Sequence, residues 1–257
     1  MPTISLAIQK GGSGKTTTTI NLAAALKQLG HSVLLIDLDP QANLSQALGL
    51  LEEVEPNIYN EFQKAASGAK SGLKAIITER SGLPLVPAAL ELAGAELELV
   101  SIYGREQLLS RMLKPLKNEY DFIFIDCPPA IGMLTVNALV ASDYVMMPLQ
   151  AEFLPLKGVK SFMRHFQQIK NTLNKKLNIL GFVLTKYDQR KTMNRNVLDK
   201  LMEDYGDKVF KTRIRTNIAL AQAQEQGVDI FSFSKSANGA LDYMELAQEF
   251  LKRVETR

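Results

Sequence analysis

Only one cysteine, Cys127, and two histidines occur in the 257 residues, and tryptophan is absent. A single thiol cannot close an internal disulfide, and no Cys/His cluster has metal-ligand spacing. Both a disulfide framework and structural zinc are thereby excluded, and the composition reads as that of a reduced cytosolic chain. Long apolar runs are missing too: none approaches the roughly 18 to 20 residues that span a bilayer, and no basic region followed by an apolar stretch opens the chain. Neither an integral membrane protein nor a secreted one is expected. Nor is there much charge of one sign. Thirty Lys plus Arg stand against 27 Asp plus Glu, a net +3, too small to mark a nucleic-acid binder by itself. Without repeats, low-complexity tracts or a linker, residues 1–257 read as one domain.

What is present is a core: 46% of the residues are hydrophobic and 22% charged, enough to bury a large interior. Short apolar runs alternate with longer segments of helical period, the pattern of βαβ units around an open, mostly parallel, twisted α/β sheet flanked by helices. The pattern predicts strands at 3–9, 32–37, 83–86, 120–126, 144–149, 179–185 and 208–212. It predicts helices at 15–29, 42–48, 71–77, 89–100, 105–118, 133–141, 158–173, 192–205, 217–226 and 238–254.

Lys10-Gly-Gly-Ser-Gly-Lys-Thr-Thr17 lies between the first strand and the first helix, the context of a phosphate-binding loop. Gly11, Gly12 and Gly14 let the backbone N–H groups, Ser13 included, turn onto an anion at the positive end of a helix. Lys15 would neutralise β- and γ-phosphates, the Thr16 hydroxyl would ligate Mg²⁺, and Thr17 would reach the α-phosphate. Val33-Leu-Leu-Ile-Asp37-Leu-Asp39-Pro-Gln41 then places two acids at the carboxyl end of a strand, where open α/β sheets bind ligands, although aspartates there also cap turns. Tyr120-Asp-Phe-Ile-Phe-Ile-Asp126-Cys-Pro-Pro129 is an apolar strand ending in one acid, the Walker B form, in which Asp126 would hold Mg²⁺. Pro128 and Pro129 stiffen the segment that follows, and Gly132 is read as the point where it turns.

The usual Gly-x-x-x-x-Gly-Lys spacing is not met, because position 9 is Gln9; a lysine, Lys10, opens the loop instead. This octapeptide resembles the deviant Walker A sequence of the ParA/MinD group of P-loop ATPases. The resemblance implies that Lys10 reaches across a dimer interface to the partner subunit's nucleotide. The Asp-x-Asp-Pro-Gln string resembles that family's first switch, which implies that Asp39 orients the attacking water while Asp37 supports the Mg²⁺ shell. Further along, Pro148-Leu-Gln-Ala-Glu-Phe153 with Gly158, Leu184-Thr-Lys-Tyr-Asp-Gln-Arg190, and Asn217 followed by Leu220-Ala keep the order of the Soj-like branch. Base contacts are expected from a Pro-x-Asn segment, here Arg215-Thr216-Asn217 without the proline. At the C-terminus, Leu241, Met244, Leu246, Ala247, Phe250, Leu251 and Val254 read as a core-packing face rather than a membrane-binding helix.

Residues 157–215 hold fifteen Lys plus Arg against five Asp plus Glu, a surplus of ten that leaves the remainder at −7. Such a segment is the footprint of backbone-directed, salt-sensitive DNA binding, or simply a solvated helical surface. Arg190, Lys191 and Arg195 lie around one helix start, and Lys211, Arg213 and Arg215 alternate onto one face of a strand-like stretch. Arg190 matches a DNA-contacting arginine of Soj-like chains, whereas Ala219 stands where they have arginine, which shifts the expected surface toward Arg213 and Arg215. The family resemblance implies ATP and Mg²⁺ as cofactors, an ATP-dependent homodimer, nonspecific double-stranded DNA and a ParB-like or cargo adaptor as partners, no membrane, and a cytoplasmic, nucleoid-associated location. It also leaves open a positioning ATPase for a protein cargo such as carboxysomes or chemotaxis arrays, or a MinD-like membrane regulator.

Overall fold

The computed structural model describes residues 2–52, 54–116, 118–151 and 155–255, with backbone only for 155–157. Seven strands form one sheet: β1 (Thr3–Leu6), β2 (Val33–Asp37), β3 (Thr78–Arg80), β4 (Leu83–Val86), β5 (Phe122–Asp126), β6 (Tyr144–Gln150) and β7 (Asn178–Thr185). Their order is β3-β4-β2-β5-β1-β6-β7. Every pairing is parallel except that of the edge strand β3 with β4. The helices are α1 (Lys15–Gln28), α2 (Asn43–Ala47), α3 (Ile58–Ala66), α4 (Leu92–Glu98), α5 (Leu108–Leu113), α6 (Met133–Ala141), α7 (Pro155–Thr172), α8 (Thr192–Tyr205), α9 (Ile218–Glu225), α10 (Ile230–Phe233) and α11 (Asn238–Glu255).

The central strands read as unbroken apolar runs because both faces of the sheet are covered. Successive side chains point to opposite faces. Ile123 and Ile125 of β5 therefore join Ile36, Met147 and Phe162 in one core, while Phe122 and Phe124 join Leu6, Ile20, Leu26 and Phe250 in the other. The second core is closed by α1 and α11, through Tyr243, Leu246, Ala247 and Phe250. Leu241 departs from the expected packing face and is 55% exposed. No helix among the described residues is long and apolar enough to cross a membrane.

The structure differs from the sequence reading at several places. The stretch 208–212 is not a strand. Val209 bridges Phe182 and the Phe210 N–H reaches Phe182 O at 2.9 Å, but the N–H groups of Lys211 and Thr212 both turn to the Glu249 carboxylate of α11, at 2.9 Å each. A side-chain acceptor has replaced the neighbouring strand. Conversely, β3 is a polar Thr-Glu-Arg edge with no apolar run to announce it. The region 71–77 contains only a 3₁₀ turn, Leu73–Ile76, and the predicted helix at 105–118 is cut down to α5 between 3₁₀ turns, the second of which contains Pro115. Helix α3, unanticipated, starts with a capping box between Asn57 and Asn60. Glu152 and Phe153 of the Soj-like run lie outside the described residues.

The register brings the chemistry together. Leu6 of β1 and Asp37 of β2 both pair with Asp126 of β5, so the two acids end adjacent strands beside the loop that leaves β1.

Candidate active site

The loop after β1 adopts backbone angles that its glycines permit: φ is +69° at Gly12 and +90° at Gly14, the residue that precedes α1. A Cβ on Gly14 would lie 3.3 Å from the Thr185 side chain, so space as well as conformation selects glycine there. The loop carbonyls are held by the ends of two neighbouring strands. Gln150 Nε2 of β6 donates to Gly12 O, and Thr185 Oγ1 of β7 donates to Ser13 O at 2.8 Å. With those carbonyls engaged, the loop amides and the positive end of α1 remain for an anion. Lys15 is buried at 7% exposure, and its ammonium donates to Lys10 O at 3.5 Å. The Ser13 hydroxyl is buried without a hydrogen-bond partner. A buried cation, an orphaned hydroxyl and a helix start in one loop form a cradle for phosphate oxygens. Lys10 lies half-buried and Gly11 exposed at the loop's entrance, while the Thr17 hydroxyl accepts from Gln224 of α9 at 3.1 Å.

The acids face this cradle from the sheet. Thr16 Oγ1 donates to Asp126 Oδ2 at 2.6 Å, and Asp126 Oδ1 is buried with no partner among the described residues. Asp37 is fully engaged: its Oδ2 accepts from both the N–H and the Oγ of Ser45 at 2.8 Å, and its Oδ1 from the Asp39 N–H at 3.2 Å. These bonds fix the start of α2 and the path of Asp39, whose Oδ1 accepts from the Gln41 N–H at 3.0 Å. Burial pushes Asp126 up to about 8, reinforced by the charge of Asp37 and opposed by Thr16 and Lys15. Burial likewise pushes Asp37 up to about 7, despite its bonds from Ser45 and Asp39. Two buried carboxylates side by side therefore lack positive charge.

That deficit, with the orphaned Asp126 oxygen next to Thr16, fits a divalent cation. No group of three or more His, Cys, Asp or Glu side chains among the described residues would hold a metal by itself. The donor set suits Mg²⁺, which keeps several waters and takes phosphate oxygens as ligands.

The cationic residues assemble elsewhere. A parallel bridge between Tyr187 and Arg215, with the Tyr187 N–H on Ile214 O at 2.9 Å, joins the β7–α8 loop to the stretch before α9. Arg190, Lys211, Arg213 and Arg215 consequently line one cavity of about 600 Å³, which shares no residue with the phosphate loop. Asp188, Asp242 and Glu245 line it too, so it is less positive than the sequence suggests. Arg190 forms a two-pronged pair with Asp188, at 3.0 and 2.9 Å, and Arg215 grips Asp242 at 2.6 and 3.0 Å. Arg213 lies over the Tyr187 ring at 5.3 Å with a buried, unpartnered Nε. Lys191 precedes α8, and Arg195 in its first turn donates to Gln189 O at 2.7 Å. Of the expected base contacts, Arg215 is thus committed to Asp242, and Asn217 caps α9 by accepting from the Ala219 N–H at 2.8 Å.

Several supporting residues escaped the sequence reading. Ser45 braces Asp37, and Gln150 and Thr185 hold the loop. Asn194 of α8 accepts from the Asp188 N–H at 2.7 Å while donating to Ala151 O, which ties the basic loop to the residue after Gln150. Gln150 and Thr185 shared one available signal, a polar residue ending a buried strand on the side of the phosphate loop.

A family model described as an AAA domain matches residues 1–179. The sporulation initiation inhibitor protein Soj of Bacillus subtilis is 40% identical over 247 residues, 96% of either chain. The chain belongs to the ParA/Soj family of partition ATPases. The chromosome partitioning protein ParA of Caulobacter vibrioides is 37% identical over 257 residues, covering 99% of this chain and 95% of its own. Among solved structures, a Mycobacterium smegmatis protein named cobyrinic acid a,c-diamide synthase, with bound ADP and magnesium, superposes with a TM-score of 0.85 at 34% identity, covering 100% of this chain and 96% of that one. The expected fold, an open and mostly parallel sheet of the P-loop ATPase kind, is borne out, and this ParA/Soj ATPase is an ATP hydrolase.

Proposed function

We propose that this ATPase takes ATP and Mg²⁺ in the cradle between β1, β2 and β5, dimerises in that state, binds DNA without sequence preference, and positions or segregates a DNA cargo. A ParB-like adaptor stimulates hydrolysis and release. The observation that carries the reading is the meeting of Lys15, Thr16 and Asp126 at the start of α1, beneath a loop opened by Lys10.

In this reading Lys15 neutralises the β- and γ-phosphate oxygens and the loop amides orient them. Mg²⁺, held through Thr16 and Asp126, supplies charge neutralisation to the phosphate oxygens. Asp39 orients the attacking water, and Asp37, braced by Ser45, keeps Asp39 in place. Phosphoryl transfer needs mostly positioning, so a carboxylate that fixes a water suffices. Lys10 reaches the nucleotide of the partner subunit. The DNA surface comprises Arg190, Lys191, Arg195, Lys211, Arg213 and Arg215, where two basic segments meet.

The test is retention on nonspecific duplex DNA with ATP, with ADP and without nucleotide. Binding with ATP alone supports the reading, and equal binding in all three states overturns it. Co-sedimentation with liposomes in ATP would instead favour a membrane regulator; against that outcome, the apolar face of α11 is largely spent inside the protein.

A further inference from the structure

Helix α6 begins seven residues beyond Asp126 without a side chain of its own to cap it: Gly132 occupies the N-cap position. The first N–H groups of a helix need acceptors. One comes from α4, where Glu96 Oε1 accepts from the Leu134 N–H at 3.3 Å. A carboxylate at this end of a helix also complements its dipole.

Gly132 explains how Glu96 gets there. Its φ of −106° and ψ of −168° are open to any residue, so the turn itself does not require glycine. A Cβ at this position would stand 2.0 Å from Glu96 Oε1 and 2.7 Å from its Cδ. The chain does bend at Gly132, and the glycine there makes room for the carboxylate.

The segment between Asp126 and this cap is short and restrained. The Leu38 N–H bonds Asp126 O at 3.0 Å, and the Cys127 N–H bonds Leu6 O at 3.2 Å. Pro128 and Pro129 follow with fixed φ. Thr135 Oγ1, in the first turn of α6, donates to Ala130 O at 2.6 Å. Further along α6, Asn137 accepts from the Leu109 N–H of α5 at 3.1 Å and donates to Arg105 O at 2.8 Å. Glu96 is the corresponding fastening of the first turn. A segment pinned at both ends and stiffened by two prolines has little slack, so a shift at Gly132 is passed to Asp126.

We infer that Glu96 is a positioning residue for ATP hydrolysis: by capping α6 across Gly132, it holds the segment that follows Asp126 in register with Thr16 and Lys15. The inference rests on the placement of Asp126 at the nucleotide site proposed above.

The test is steady-state hydrolysis by the full chain as Glu96→Ala, Glu96→Gln, Gly132→Ala and the Glu96→Ala/Gly132→Ala double variant, with Asp126→Asn alongside. Gly132→Ala evicts only the flexible end of Glu96 and keeps the result readable if Glu96→Ala folds poorly. Losing this cap predicts a fall in kcat of about 3- to 10-fold for either single variant, with KM for ATP within about twofold. Glu96→Gln, whose amide oxygen accepts the same N–H, retains kcat. The double variant is no slower than the slower single variant, because both remove one contact. Unchanged kcat in Gly132→Ala, a loss in Glu96→Gln equal to that in Glu96→Ala, or losses that multiply in the double variant would overturn the inference. If Asp126→Asn itself hydrolyses ATP normally, it is the placement of the nucleotide site that fails.

Discussion

Thr16 Oγ1 donates a 2.6 Å hydrogen bond to Asp126 Oδ2, joining the first turn of α1 to the end of β5. The bond places a hydroxyl from the phosphate loop and a carboxylate from the sheet on one side of Lys15. It leaves the second oxygen of Asp126 buried and unpartnered. An unpaired buried acceptor costs free energy, so this oxygen is a place where a cation would be well received.

Replacing Lys15 by alanine removes the buried ammonium from this arrangement. Affinity for ATP, read by titration with a fluorescent analogue, should fall at least about tenfold, the order expected for losing a charge-assisted contact. An unchanged Kd would show that the loop amides alone bind the phosphates.

Asp39 accepts from the Gln41 N–H rather than from the phosphate loop, and its substitution should separate binding from turnover. Asp39→Ala is expected to bind ATP within about threefold of the original protein and to lose about 100-fold or more in kcat, the range for a positioned catalytic group. Normal turnover would assign the orientation of water to another group.

The buried acids predict a pH dependence. Asp126 is raised to about 8 and Asp37 to about 7, both above their ordinary value of 3.8. Between about pH 4 and pH 8 the folded state therefore binds more protons than the unfolded state, and the contribution of these groups to stability falls as pH rises. In the nucleotide-free protein, Asp126→Asn should be more stable than the original at pH 8, with the advantage shrinking toward pH 5. Urea unfolding across this range checks it; an advantage that grows as pH falls has the opposite sign and refutes it.

The basic cavity separates a structural role from the proposed DNA-binding one. Arg215→Ala leaves the buried Asp242 carboxylate with only the backbone N–H of residue 215 and should cost about 1 to 3 kcal/mol in urea unfolding, whereas exposed Lys211→Ala should stay within about 0.5 kcal/mol. If both cations also contact phosphates, each substitution reduces the slope of log affinity against log salt by roughly 0.9. Equal stability of the two variants would show that the Arg215–Asp242 pair adds nothing to the fold.

The fold and phosphate site were legible where local pattern and local chemistry agree. The apolar runs ending in Asp37 and Asp126, and the glycine loop between β1 and α1, carry their placement in their own residues. What was not legible depends on residues distant in sequence. Glu249 takes the N–H groups of Lys211 and Thr212 and so abolishes a strand that alternation predicts. Asp242 claims Arg215, and Glu96 fills the space that makes residue 132 a glycine. Each is a side chain reaching another element, and no periodicity encodes it.

The most direct measurement of the whole account is ATP-dependent retention on nonspecific DNA, compared between Asp39→Ala and Lys15→Ala at one fixed salt concentration. If ATP occupancy gates the DNA surface and hydrolysis releases it, Asp39→Ala remains on DNA once given ATP, and Lys15→Ala needs at least about tenfold more ATP than the original protein for the same retention. Equal retention of the two variants, with or without ATP, would contradict the coupling of the two sites.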